Sequence, residues 1–279
     1  MISPATAIKL ATRHVAKPWG RTSLPQPFDK PGSERIGEIW FEPDADLVLP
    51  LMVKYIFTSE KLSIQVHPDD GQARERGSSS GKEECWLVLD AEPGARLGIG
   101  TQRALSAPEL REAALHGEIE ALMDWKPVAR GDFYYIPAGT VHAIGAGISL
   151  IEVQQNADIT YRLYDYGRPR ELHLDDGVAV SNAVPYADAL HRTVDFAADQ
   201  MLVDGPHFRL MLTGNATADL EGYGPVMVVP VEGSVEVAEA DGMIRAEAGE
   251  CLAVAPGAQL HASADARLLL ARACKGADA

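Results

Sequence analysis

Gly131-Asp-Phe-Tyr-Tyr-Ile-Pro137-Ala-Gly139-Thr-Val-His142 is the stretch on which the fold turns. Phe133 to Pro137 has the composition of a short strand. Pro137 with Gly131 and Gly139 shapes a sharp turn, which delivers His142 beside residues of a preceding hairpin.

The residues for His142 to join lie upstream. In Lys61-Leu-Ser-Ile-Gln-Val-His67, Leu62, Ile64 and Val66 alternate with Ser63, Gln65 and His67. A strand therefore puts a hydroxyl, an amide and an imidazole on one face. Alone, this reads equally well as an ordinary half-buried strand with its polar face in water. Lys82-Glu-Glu-Cys-Trp-Leu-Val-Leu89 sets Lys82, Glu84 and Trp86 on one face, and taken alone it reads as a solvated ion pair. Combined with His142, however, Gln65, His67 and Glu84 make a nitrogen and oxygen donor set for a metal. Zn²⁺ accepts such ligands and keeps positions open for water or substrate oxygens. Ligand softness leaves Mn²⁺, Fe²⁺ and Co²⁺ open.

Around these segments the chain reads as short strands separated by turns. Strand patterns cover residues 36–41, 47–57, 62–67 and 84–89, with residues 71–82 read as a mobile loop. Residues 101–126 break the pattern. Ser106-Ala-Pro-Glu109 has capping-box form, and Leu110, Ala113 and Ala114 follow at helical spacing, which predicts a helical insertion between two β stretches. Strand patterns return at residues 133–137, 148–155 and 160–164, and again at 209–213, 226–231, 234–239 and 251–254.

The 279 residues carry a net charge of −15, which argues against nucleic acid and anionic membranes as partners. It also requires that a site for a phosphorylated substrate be locally positive. Cys85, Cys251 and Cys274 are widely spaced and form no Cys-x-x-Cys pair, which points to a reducing compartment. The first twenty residues contain no apolar leader core, and no stretch approaches the ~18 consecutive apolar residues of a membrane span. A cytoplasmic protein is expected.

Gly131 to His142 resembles the second signature of the cupins without a gap. Further stretches resemble type I mannose-6-phosphate isomerases in their short bacterial form. These are KPWG (17–20), GEIW (37–40), LSIQVHPDD (62–70), GKEECW (81–86), PAGTVHAIG (137–145) and IEVQQNADITYRLYDYGR (151–168). The resemblance spans roughly residues 15 to 170. It implies a mainly β fold, a cupin (double-stranded β-helix or jelly-roll) catalytic barrel in residues 1–170 with the helical insertion near 101–126. Residues 171–279 then form a second, metal-free cupin-like β domain. Ala248 to His261 echoes the signature there, but no His or Gln pair precedes it.

The resemblance further implies one Zn²⁺ on Gln65, His67, Glu84 and His142, and Arg162 as a catalytic arginine over the sugar. Lys82, Ser63, Glu152 and Asp158 become substrate-pocket residues, Lys82 with a catalytic part as well. The implied reaction interconverts mannose 6-phosphate and fructose 6-phosphate through a cis-enediol, so the implied partner is a small sugar phosphate. Three alternatives remain: a cupin isomerase of another or unphosphorylated sugar, an iron dioxygenase, and a non-catalytic sugar-binding cupin. Fold alone does not choose among them.

Overall fold

A computed structural model describes residues 7–28, 32–43, 47–215, 217, 219–239 and 242–274. Among the described residues twenty-one strands make four antiparallel sheets, and the helices are short. The cupin fold read from the sequence is the fold of the chain. None of the helices among the described residues is long and apolar enough to cross a membrane.

The first half is a pair of facing sheets. A seven-stranded sheet runs His191–Thr193, Asp132–Ile136, Glu84–Ala91, Ile148–Gln155, Leu51–Phe57, Ile36–Glu42 and Ala11–Arg21 in spatial order. A five-stranded sheet runs Tyr161–Tyr164, Ile64–Val66, His142–Ile144, Arg96–Thr101 and Met123–Pro127. The second half holds a six-stranded and a three-stranded sheet.

The seven-stranded sheet is covered on both faces, which explains its dense apolar sequence. Leu51, Val53, Tyr55 and Phe57 share one core with Ile151 and Val153 and with Leu210, Leu212, Met227 and Leu269 of the six-stranded sheet. The opposite face carries Ile56, Trp86, Val88 and Leu150 in a different cluster, facing the barrel interior. Period-two alternation thus sends odd-numbered residues of Leu51–Phe57 toward the second half and even-numbered ones into the barrel.

Two pairings cross the boundary expected at residue 170. Ala7–Lys9 pairs with Leu252–Val254 in the second half, while His191–Thr193 joins the first-half strand Asp132–Ile136. Both short strands complete an edge that the contiguous chain leaves open. Residues 71–82 are a correction: they are not simply a loop, because Asp70–Glu75 is a helix. Asp69 caps it, accepting from the Gln72 N–H while the Gln72 side chain accepts from the Asp69 N–H. The serines and glycines nearby mask this Asp-x-x-Gln signature in the sequence. The insertion holds helices Ala107–His116 and Ile119–Leu122, with the expected Ser106–Glu109 capping box. Its last residues differ from expectation, since Met123–Pro127 is a strand paired with Arg96–Thr101.

Candidate active site and metal centre

Register brings the chemistry together. Across the five-stranded sheet Arg162 lies opposite Gln65, and Gln65 lies opposite His142, so three polar side chains form a row. Across the seven-stranded sheet Trp40, Lys54, Glu152 and Trp86 make one row, and Gln154 lies opposite Glu84 in the next.

The turn read from the sequence does the delivery. Gly139 has φ 82°, a left-handed conformation that favours glycine, and its N–H donates to the carbonyl of His67 at 2.8 Å. On the other side, Gly81 packs so closely that an added Cβ would lie 2.4–2.7 Å from backbone atoms of Pro68, Asp69 and Asp70. The Lys82 N–H then donates to Pro68 O at 3.0 Å, placing the start of the Glu84 strand against the His67 segment.

His67, Glu84 and His142 are all buried, and one donor atom from each lies within 4.8 Å of the others. Nε2 of His67 is 3.4 Å from Glu84 Oε2, and Nε2 of His142 is 3.4 Å from Glu84 Oε1. Each imidazole uses Nδ1 on a backbone carbonyl, Ile159 O at 2.7 Å and Thr140 O at 2.8 Å. Those bonds set the Nδ1–H tautomer and turn the Nε2 lone pairs toward Glu84. Both Glu84 oxygens are buried without a hydrogen-bond donor of good geometry, although Lys82 Nζ lies 2.7 Å from Oε2. Burial, reinforced by Lys82, pushes the His67 imidazole down to about 3, and burial also lowers His142. Burial acts against the Glu84 carboxylate, but Lys82 and the two imidazoles outweigh it and hold the acid well below its usual range. Neutral imidazoles and an ionised carboxylate are the protonation states that a divalent cation requires. This group could hold a metal ion.

Gln65 joins it, with Nε2 3.3 Å from His142 Nε2 and Oε1 accepting from Ser63 Oγ at 3.1 Å. Turning the amide over would present its oxygen to the same centre.

The donor group adjoins a cavity of about 290 Å³. Ser63, Gln65, Lys82, Glu152, Asp158 and Arg162 line it, so the structure gathers the expected pocket residues on one surface. Asp158 is exposed at the rim, Arg162 is half-buried, and Ser63, Lys82 and Glu152 are buried. Glu152 is held from three sides: Oε1 lies 2.8 Å from Lys54 Nζ and 3.6 Å from Lys82 Nζ, and Oε2 accepts from Trp86 Nε1 at 3.0 Å. The lining includes five basic residues, Lys17, Lys54, Lys82, Arg162 and Arg170, against three acidic ones, Glu38, Glu152 and Asp158. In a protein of net charge −15 the lining itself thus holds more basic than acidic side chains, with Glu84 and Asp165 set behind Lys82 and Arg170.

Lys54, Glu38, Lys17 and Arg170 were not singled out from the sequence. For Lys54 a signal exists, since it is the one charge within the apolar run Leu51–Phe57. Burial works against its charge, but Glu152 and Glu38 outweigh it and hold the amine above the usual lysine value. Glu38 accepts from Trp40 Nε1 at 2.7 Å and pairs with Lys17 at 3.2 Å. Its pKa is lowered: burial opposes the charge, and Lys54 and Lys17 overcome it.

No family model matches the chain. A mannose-6-phosphate isomerase of Streptococcus mutans is 42% identical over 150 residues, 50% of this chain and 47% of that protein. The ManA mannose-6-phosphate isomerase of Bacillus subtilis is 40% identical over 195 residues, 65% of this chain and 61% of that protein. The crystal structure of mannose 6-phosphate isomerase from Bacillus subtilis superposes with a TM-score of 0.76 at 26% identity, covering 96% of this chain and 99% of that one. The chain is thus similar in sequence and in fold to mannose-6-phosphate isomerases. The matched stretches span 47% and 61% of the length of the two curated relatives, while the likeness in fold runs nearly end to end.

Proposed function

We propose that this cavity is the active site of a metal-dependent mannose-6-phosphate isomerase, interconverting mannose 6-phosphate and fructose 6-phosphate in the cytoplasm. The observation that carries the reading is the buried His67–Glu84–His142 donor group set behind Gln65 and Lys82, which line a cavity with five basic residues. His67, Glu84, His142 and Gln65 would hold the metal, and zinc suits two imidazoles, a carboxylate and an amide oxygen. Bound there, the metal supplies Lewis acidity for sugar oxygens.

The residues of the chain account for the rest. The isomerisation moves a proton between C1 and C2 of the open-chain sugar and develops negative charge on the enediol oxygens. Arg162 lines the cavity, and its guanidinium makes no ion pair among the described residues, so its charge is available to that oxyanion. Glu152 is a buried carboxylate of the cavity beside Lys82 and the metal centre, and we assign it the C1–C2 proton transfer, oriented by Lys54 and Trp86. Lys82 bridges Glu84 and Glu152 and couples the metal centre to that carboxylate. Ser63 holds the Gln65 amide, and Asp158 at the rim accepts from sugar hydroxyls.

The test is a coupled assay of metal-reconstituted protein with mannose 6-phosphate, glucose 6-phosphate, mannose and lyxose, alongside metal analysis. Turnover of mannose 6-phosphate with about one tightly held divalent ion per chain is expected. Turnover of only an unphosphorylated sugar would move the assignment to a different isomerase. Full metal content in a His67→Ala/His142→Ala double variant would remove the metal assignment.

A further inference from the structure

The reading of the substrate as a phosphosugar leaves open which residue takes the phosphate, and the charges of the cavity are not equally available for it. Lys17 is paired with Glu38, Lys54 with Glu152, and Lys82 with both Glu84 and Glu152. Arg170 differs. It lines the cavity, and its Nε and Nη2 donate to Oδ2 and Oδ1 of Asp165, each at 2.6 Å, in a two-pronged pair. Asp165 is only 2% exposed, so its carboxylate is a fixed anchor for the guanidinium. Nη1 of Arg170 has no protein partner among the described residues.

Asp165 does not neutralise Arg170 alone, because Arg168 Nη1 donates to its Oδ1 at 3.1 Å. Arg168 reaches on to Glu60, which also binds Arg35. The chain Arg35–Glu60–Arg168–Asp165–Arg170 thus has three guanidiniums and two carboxylates, and its cavity end is Arg170. The adjoining backbone ties this end to Arg162, whose guanidinium has no ion pair among the described residues: His173 N–H donates to Arg162 O at 2.8 Å, and Arg162 N–H donates to His173 Nδ1 at 3.2 Å.

We infer that Arg170 is the residue that seats the phosphate of the substrate, and that Asp165 is the positioning residue that holds its guanidinium toward the cavity. A planar, permanently charged fork with a free edge suits a phosphate dianion better than the carboxylate-saturated lysines do. Phosphate binding at Arg170 leaves Arg162 for the reacting end of the sugar and completes the charge of the arginine chain. The inference rests on the phosphosugar reading above, and it makes Arg170 a specificity residue.

The experiment is steady-state kinetics of the metal-loaded wild type, Arg170→Met, Arg170→Lys and Asp165→Asn, with calorimetric titration of each by inorganic phosphate. Arg170→Met is expected to raise KM for mannose 6-phosphate roughly ten- to hundredfold with a much smaller change in kcat, the loss of one charge-assisted contact. Phosphate affinity should fall by a similar factor, and the preference for mannose 6-phosphate over mannose should fall with it. Arg170→Lys should recover part of both losses. Asp165→Asn should show the same KM-dominated pattern more weakly, and should it fail to fold, the Arg170 pair decides alone. An Arg170→Met enzyme within twofold of wild type in KM and phosphate affinity overturns the inference while leaving the isomerase reading intact. Phosphate binding that depends on Arg170 in a protein without isomerase activity overturns that reading and retains the phosphate seat.

Discussion

Lys54 sits in the middle of an apolar strand and is 7% exposed, a position that costs several kcal/mol unless the charge is paired. It is paired twice over, with Glu152 by contact and with Glu38 by field. If Arg162 stabilises charge that develops only in the enediolate, its removal lowers turnover more than affinity. Arg162→Ala is expected to lose about a hundredfold or more in kcat, by analogy with the loss of one oxyanion donor. Arg162→Lys keeps the charge but not the planar fork and should recover part of the rate. Steady-state kinetics with metal content confirmed is the measurement, and near-normal turnover in Arg162→Ala would make it an ordinary strand charge.

Glu38 provides the pH test. Its folded pKa lies below the unfolded value, so its ionised form contributes stability above the unfolded pKa of about 4.3. That contribution is lost as pH falls from there through the folded pKa. Glu38→Gln should therefore melt below wild type at pH 7, with the gap in Tm closing as pH drops below about 4.3. A gap that stays constant to pH 3 would show that the Lys17 and Lys54 pairing carries no net stability.

At the scale of elements, the site depends on how the Gly81–Ala91 segment docks. The Gly81 N–H donates to Asp70 Oδ1 at 2.7 Å, and there is no space for a Cβ against the Pro68–Asp70 backbone. Gly81→Ala must push the two segments apart, shifting Lys82 and Glu84 away from His67. A lowered Tm, weaker metal retention and lost activity are expected together, with destabilisation of about 1–3 kcal/mol, typical of overpacking. Wild-type metal retention in Gly81→Ala would show that this close approach is not what positions Glu84. The helix that opens just before, at Asp70–Glu75, reads in the sequence as a loop, because six residues form a helix only when tertiary contacts support it. The Ser106–Glu109 helix, at ten residues with its box and an apolar stripe, was legible without help.

At the scale of the molecule, the two halves share one core across the seven- and six-stranded sheets and exchange edge strands. Separating them would expose Leu51, Val53, Tyr55 and Phe57 on one side and Leu210, Leu212 and Met227 on the other. Burial on that scale couples the halves, so calorimetry should show one cooperative unfolding transition. Two resolved transitions would mean that the shared core contributes little. Five basic residues line the cavity of a protein whose net charge is −15, and on the proposed reading they would focus attraction for an anionic sugar at one place.

What the sequence determined by itself was local. Period-two alternation and the Pro137–Gly139 turn pointed to strands, and the match of short motifs carried the resemblance to an isomerase family. Gln65, His67, Glu84 and His142 could be named because each sits on a readable strand face or turn. Lys54, Glu38 and Arg170 could not, because their place in the cavity depends on cross-strand register and on which face of a doubly covered sheet meets the barrel. The same holds for Ala7–Lys9, whose partner Leu252–Val254 lies more than two hundred residues away. Non-local pairing leaves no period in the chain, since a strand's composition records that it is buried but not against what. Only the tertiary structure decided which charges are compensated, and so which guanidiniums remain free for a ligand.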